Sequence, residues 1–561
     1  MDRLFAEPSQ DASRKVLSMP KPAISQTPNP VQWDWNLPKI FLRRCREKGN
    51  QIKISDSSGA QRSGYDLLLR TLVLRRILNR EVLKADEKFV GVLLPPTVPG
   101  AVTNLALSLS GRVAVNLNYT VSDAIINSCI EQSGITNVLT SRKVMEKFSV
   151  KPSSNLIYLE DLKEHATVAD KLAGVLASKW LPLSMVSRSL GLNKMTCDDL
   201  LTVIFTSGST GNPKGVPFSF LNVASNIQGF DQVIKVKDSD NFLGVLPYFH
   251  SFGFTVSLWG AMTLPSSASY HFNPLDARQV GKLAQANKST VLLATPTFLR
   301  GYLRRVEPEQ FKTVEVVVVG AEKMPMTLSD EFEAKFGVRP IEGYGTTELS
   351  PVVAVNLPES RATTQDKKAG LRDGSVGKPL PGVSARVVSI EDGSILEINV
   401  PGMIQVSGPN VMKGYLKQPE LTAKVLKGEW YETGDIGYID DDGFLFITGR
   451  QSRFSKIGGE MVPHIQIEEL IIEIVGESEE VLNVAVTSVP DAKKGERIIV
   501  LHTKLNMTPS EIVKGLSAKG LPNLFLPSED SFIEVDSIPL LGTGKLDLRG
   551  LQQLAKEKVK E

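Results

Sequence analysis

From Asp34 onward, short apolar runs alternate with longer amphipathic stretches, most clearly at Phe89 to Leu94, Val138 to Leu139, Thr202 to Phe205, Val291 to Ala294 and Val314 to Val319. Runs of this length suit strands, and the stretches between them leave room for crossover helices, so the pattern predicts α/β layers. The run Val314-Glu315-Val316-Val317-Val318-Val319 ends in Gly320, as a buried strand leading into a ligand-facing loop does. Between Gly374 and Phe446 the texture changes. Frequent Gly and Pro separate β-rich pieces at Ala385 to Val388, Met403 to Val406, Gly437 to Ile439 and Phe444 to Ile447, which predicts a small barrel or distorted sheet. Beyond Gly449, charged pieces reading strand, helix and strand predict a small α+β domain. Pro8, Pro20, Pro22, Pro28 and Pro30 keep the start of the chain out of helices and ladders. The expected organisation is therefore an extended arm over 1–33, a large domain over 34–449 and a small domain over 450–561.

Composition narrows the function classes. With 561 residues, 42% hydrophobic and 22% charged, the chain is globular in character, and Lys+Arg 64 against Asp+Glu 62 leaves a net charge of +2. That balance gives no global attraction for nucleic acid, so any anion site must be local. Cys45, Cys129 and Cys197 are far apart, form no metal-like pair and read as buried thiols of a reducing compartment. Asp2, Arg3 and Glu7 interrupt any signal peptide, and the apolar stretch Ala101 to Leu117 is broken by Asn104, Ser108, Ser110, Gly111 and Arg112. The expected location is cytoplasmic, with at most peripheral membrane contact. Lys179-Trp180-Leu181-Pro182 to Arg188 has basic residues and Trp beside apolar ones, but Pro182 argues against a continuous helix and for a surface loop.

Chemistry concentrates in one segment, Thr206-Ser207-Gly208-Ser209-Thr210-Gly211-Asn212-Pro213-Lys214-Gly215, placed directly after the strand Val203-Ile204-Phe205. Its hydroxyls, glycines and lysine make a donor-rich loop able to wrap phosphate oxygens. It is not a Walker P-loop, because Lys214 follows Pro213 and no Ser or Thr follows Lys214.

This loop resembles the phosphate loop of the adenylate-forming superfamily, which includes acyl-CoA synthetases, luciferases and peptide-synthetase adenylation domains. Further segments resemble that family's motifs in order, over roughly Pro38 to Leu551. Gly343-Tyr344-Gly345-Thr346-Thr347-Glu348 is similar to the adenine and Mg²⁺ segment, and Gly320-Ala321-Glu322 to the stretch lining the other side of the nucleotide. Trp430-Tyr431-Glu432-Thr433-Gly434-Asp435 resembles the ribose-binding motif. Gly449-Arg450 through Lys456-Ile457-Gly458-Gly459-Glu460 resembles the hinge, and Pro539-Leu540-Leu541-Gly542-Thr543-Gly544-Lys545 the C-terminal motif whose lysine enters the active site.

The resemblance implies a large multi-subdomain N-terminal domain, with two α/β sheets and a distorted β-barrel, and a small mobile α+β C-terminal lid. It implies ATP and Mg²⁺, with Glu348 as metal ligand, Thr347 on phosphate, Asp435 on the ribose hydroxyls and Lys545 bridging carboxylate and α-phosphate. Arg453 is the implied hinge residue. Gln451-Ser452-Arg453-Phe454 departs from the commonest pattern, since Ser and Arg stand where many members have Lys and Asp. FHSFGFT, LSGRVAVNLNYT and RFSKIGGEMV are most similar to bacterial long-chain acyl-acyl-carrier-protein synthetases.

The implied reaction is activation of a fatty acid to acyl-AMP and its transfer to the phosphopantetheine thiol of coenzyme A or acyl carrier protein, in a tunnel beside His250 and Gly459. Pro247-Tyr248-Phe249-His250 followed by Ser251-Phe252-Gly253-Phe254 and Trp259-Gly260 mixes aromatic walls with small gaps, which suits an apolar channel. Lys493, Lys494, Arg497, Lys514 and Lys519 are candidates for a basic face toward a carrier protein. Open alternatives are a ligase for aromatic or short acids, a carrier-loading adenylation enzyme, and a non-catalytic nucleotide or acyl sensor.

Overall fold

The computed structural model describes residues 24–25, 32–206, 213–363, 369–457, 460–476, 483–491, 495–540 and 546–560. Two α/β sheets form the large domain. One has six strands in the order Asn155–Tyr158, Asn137–Thr140, Phe89–Val92, Val113–Asn116, Leu200–Thr206 and Lys214–Ser219. It is parallel except for its last pair, an antiparallel hairpin in which Thr206 faces Lys214. The second, nine-stranded sheet has a parallel centre of Val316–Val319, Val291–Ala294, Asn241–Gly244 and Ser267–Tyr270. These strands are buried throughout or nearly so, because helices cover both faces, and that is why they read as unbroken apolar runs.

A third, antiparallel sheet matches the expected barrel region: Ser384–Val388, Gly402–Ser407, Trp430–Ile439 and Leu445–Arg450, with Ile24–Ser25 of the proline-rich arm pairing with Ala385 and Arg386. The chain after Arg450 builds the smaller α+β unit. It has the hairpin Phe454–Ile457 and Glu460–Pro463, a sheet of Val484–Asp491, Gly495–His502 and Phe532–Glu534, and the helices His464–Val475, Pro509–Ala518 and Leu548–Lys560. Ile457, Ile467, Ile471, Val486, Val500 and Ile512 form its own core, separate from the large domain's.

One buried helix fixes the geometry between the layers. Phe220–Ile234 begins on a capping box in which Ser219 and Asn222 satisfy each other's backbone N–H groups. Asn222 Nδ2 also donates to the carbonyls of Pro409 and Val411 in the barrel, at 2.7 and 3.0 Å. One turn on, Asn226 donates to the Val352 carbonyl at 2.7 Å and accepts its N–H at 3.2 Å. Asn410 donates to the Leu349 carbonyl at 3.0 Å. Two buried amides, Asn226 and Asn410, therefore clamp the chain just after Tyr344–Glu348, while Asn222 ties the same helix to the barrel, and each would leave backbone groups unpaired if replaced by an apolar residue.

Two sequence expectations are corrected. The segment after Lys179 is not a loop. A helix Val168–Val175 continues through a π-helical turn, Leu176–Trp180, and a second helix, Leu183–Ser189, starts straight after Pro182, so the proline breaks the helix without abolishing it. Of the three thiols, Cys45 and Cys129 are buried, which pushes both up to about 12, but Cys197 is only half-buried. The stretch Ala101–Leu117 resolves into the helix Val98–Leu109 and the strand Val113–Asn116. Among the described residues no helix is long and apolar enough to cross a membrane.

Candidate active site

The motif residues converge from four strand ends. Val316–Val319 runs into Gly320, where an added Cβ would press to 3.3 Å on the Gly343 carbonyl, and then into Ala321, which holds φ +71°. An alanine there is a strained left-handed residue, an arrangement found where a backbone must face a ligand. Glu322 is exposed and accepts the Thr297 hydroxyl at 2.7 Å. On the neighbouring strand Ile341–Gly345, a Cβ at Gly345 would meet the Pro351 carbonyl at 1.8 Å, so no other residue fits that turn.

Tyr344 donates its hydroxyl to Asp435 Oδ2 at 2.5 Å, while Arg450 Nε donates to Oδ1 of the same carboxylate at 2.6 Å. Asp435 and Arg450 face each other across the strands Trp430–Ile439 and Leu445–Arg450, and the Thr433 hydroxyl accepts the Asp435 N–H at 3.0 Å. Asp435 is 2% exposed. Burial and the adjacent carboxylate push the Tyr344 phenol well above its usual range, and the same carboxylate raises the Arg450 guanidinium. The Tyr344 hydroxyl and the Arg450 guanidinium are thus joined through one shared carboxylate by short, charge-assisted bonds.

The second half of the site surrounds Thr347 and Glu348. Thr347 Oγ1 lies 3.3 Å from Ser251 Oγ, and the buried Thr346 Oγ1 has no hydrogen-bond partner among the described residues. Tyr415 donates to Glu348 Oε1 at 2.9 Å, the Met412 N–H donates to the Glu348 carbonyl at 2.8 Å, and Lys214 Nζ sits 4.9 Å from the centre of the Tyr415 ring. Lys214 opens a strand, not a helix, which separates this hairpin from a Walker P-loop. The residue just before Lys214 is pinned as well, since Gln132 donates to the Pro213 carbonyl at 3.1 Å. Ser207, Gly208, Ser209, Thr210 and Gly211 lie outside the described residues, as do Gly458, Gly459 and Lys545. His250 is half-buried, and its Nδ1 accepts the Phe252 N–H at 3.3 Å.

The chain matches the AMP-binding enzyme family over residues 41–416. It belongs to that family. A long-chain-fatty-acid–CoA ligase of Bacillus subtilis (strain 168) is 25% identical over 510 residues, covering 85% of this chain and 88% of that one. A 2-succinylbenzoate–CoA ligase of Geobacillus sp. (strain WCH70) is 30% identical over 360 residues, covering 64% and 69%. Among solved structures, ATP-bound MatB from Rhodopseudomonas palustris superposes with a TM-score of 0.77 at 26% identity over 93% of this chain and 99% of that one. The fold is the adenylate-forming fold, as the motifs led one to expect, with a large domain of several sheets and a smaller C-terminal domain.

In this AMP-binding enzyme Arg453 closes the 3₁₀ turn Gln451–Arg453 and is buried in an ion pair with Glu468 of the helix His464–Val475. Glu468 also accepts the Val486 N–H at 2.5 Å, and burial raises its carboxyl although Arg453 opposes the shift. Arg453 is thus moored to the small domain. Lys456 stays exposed, and its N–H donates to Glu496 at 2.6 Å. Beside it His464 Nε2 meets Ser455 Oγ at 2.5 Å, and burial together with Arg453 lowers this imidazole to about 3.

An acid sensitivity follows from His464. A ring held neutral in the fold but protonated near 6.5 when unfolded contributes stability above that pH and loses it as pH falls toward about 3. Thermal unfolding should therefore show the small domain weakening below the unfolded value, by at most ~1.4 kcal/mol per pH unit, with a flatter profile in His464→Gln.

Sequence reasoning missed Tyr415 and Glu468, which act through residues separated from them in the chain and carry no motif of their own, and it read Ser251 only as part of the apolar channel segment, not as a neighbour of Thr347.

Proposed function

We propose that this chain activates a medium- or long-chain fatty acid with ATP, forming acyl-AMP and pyrophosphate, and passes the acyl group to a phosphopantetheine thiol. The observation that carries the reading is the joint placement of Tyr344, Asp435 and Arg450 beside Thr347 and Glu348, on strands of the nine-stranded sheet and the barrel and the turn that follows Gly345.

Two anions must be joined, so the site's task is to offset repulsion and hold the reacting atoms in line. Asp435 binds the ribose hydroxyls, with Arg450 holding it in orientation. Tyr344 flanks adenine, opposite Gly320, Ala321 and Glu322. Thr347 contacts the phosphates, and the hairpin loop from Thr206 to Lys214 guides the leaving pyrophosphate. The donor set fits Mg²⁺, since a single carboxylate, Glu348, engaged by Tyr415 at one oxygen, is what a cation carried on a triphosphate requires. Such a cation supplies positive charge beside the phosphates. Lys545 supplies a second charge, between carboxylate and α-phosphate. For transfer, the small domain turns about the segment next to Arg453, and because Arg453 is held by Glu468 it moves with that domain.

The fatty acid is supported by Phe252, Phe254, Trp259 and their neighbours, a buried apolar π-helical stretch, Gly253–Gly260, and by the Bacillus fatty-acid relative. A second reading, an aromatic or polar acid, is favoured by one observation: Thr255 Oγ1, Ser257 Oγ and Trp259 Nε1 in that stretch are buried with no partner among the described residues. The 2-succinylbenzoate relative is in keeping with it.

For the acceptor, Arg497 pairs with Asp530 at 3.5 Å and Lys519 with Glu473 at 2.5 Å, which weakens the expected basic face; Lys493 and Lys494 lie outside the described residues. Coenzyme A is accordingly the acceptor expected to work, with a carrier protein as the alternative. Pyrophosphate release screened over acids, with each acceptor at low and high salt, tests both points. Release should rise with acyl chain length and exceed that with 2-succinylbenzoate. A preference for aromatic acids would overturn the fatty-acid reading. Carrier-protein turnover that exceeds coenzyme A turnover and falls as salt shortens the Debye length to below ~10 Å would overturn the acceptor.

A further inference from the structure

The segment 165–194 presents its faces in inverted order. Asp170, Gly174 and Ser178, a polar and small stripe at four-residue spacing, point inward. Asp170 is held by Arg76 at 2.7 Å and Arg80 at 2.9 Å, and a Cβ at Gly174 would come within 2.6 Å of Leu69, so close seating on the helix Gly64–Ile77 requires small residues. The outward stripe is apolar: Val168 is 72% exposed, Leu172 60%, Leu176 49%, Trp180 74% and, after Pro182, Met185 56%. A surface helix ordinarily does the reverse, and a contiguous exposed apolar stripe marks an interaction face.

Charge specifies the partner. From His165 to Lys194 the only acid is the buried Asp170, while Lys171, Lys179, Arg188 and Lys194 are all exposed. On the helix behind, Asp66 is paired with Arg62 and Arg70, and just after it Glu81 pairs with Arg80. We propose that this face docks on an anionic lipid bilayer, with Leu172, Leu176 and Trp180 entering the headgroup boundary and the flanking cations meeting lipid charge. A two-fold contact between copies would set Lys171, Lys179 and Arg188 against themselves, which disfavours a second copy as occupant. The surface is separate from the nucleotide site, so its test does not depend on catalysis.

Full-length protein is sedimented with vesicles containing phosphatidylglycerol and with zwitterionic vesicles. Binding should be at least ~10-fold stronger to the anionic vesicles and fall ~10-fold or more in Leu172→Glu/Leu176→Glu. Leu275→Glu, which alters an apolar residue 65% exposed elsewhere, should leave binding unchanged. A blue shift of fluorescence on binding should vanish in Trp180→Phe. Adenylate formation from a soluble acid should survive the double variant, which confirms its fold. The proposal is overturned if the wild type ignores anionic vesicles or the double variant binds them equally. It is also overturned if the stripe instead mediates a dimer or captures an acidic protein without vesicle binding.

Discussion

Replacing Lys545 by alanine is expected to slow acyl-adenylate formation by ~10³-fold or more, since one positioned charge in a dry site is worth ~3–4 kcal/mol. The two reacting groups are both anions, and Lys545 is the chain's only proposed cation between them. Transfer from supplied acyl-adenylate to the thiol involves no such repulsion and should survive. The measurement is single-turnover kinetics of each half-reaction. Equal loss of both would remove Lys545 from the first step.

Asp435→Ala should weaken ATP and AMP together, by ~30–100-fold in calorimetric titration, because both nucleotides carry the ribose and a charge-assisted hydrogen bond is worth ~1.5–3 kcal/mol. The substitution also frees Tyr344 and Arg450, which Asp435 now holds from opposite oxygens. Arg450 has a side chain 56% exposed, so its release into solvent should cost the fold little. Unchanged nucleotide affinity in a folded variant would take Asp435 out of the site.

Strands and motifs were legible for a physical reason: covered parallel strands must be apolar on both faces, and backbone turns such as Gly345 admit one residue only. The barrel was legible from Gly and Pro punctuation between its strands. What escaped the sequence depends on contacts between distant positions. Asn226 and Asn410 look like ordinary polar residues until Leu349 and Val352 are found against them. Tyr415 reaches Glu348 across 67 positions, and Arg453 gains its meaning from Glu468. The stripe Leu172, Leu176 and Trp180 was hidden by Pro182, which read as a helix stop although helix resumes at Leu183.

The central claim, that this AMP-binding enzyme activates a carboxylate through an acyl-adenylate, is tested most directly by hydroxylamine trapping with ATP, Mg²⁺ and a fatty acid but no thiol. Acyl-hydroxamate should accumulate with matching AMP and pyrophosphate, and Asp435→Ala and Lys545→Ala should suppress it. Nucleotide binding without any hydroxamate, across fatty, aromatic and short acids alike, would contradict the account and leave a nucleotide-binding sensor in its place.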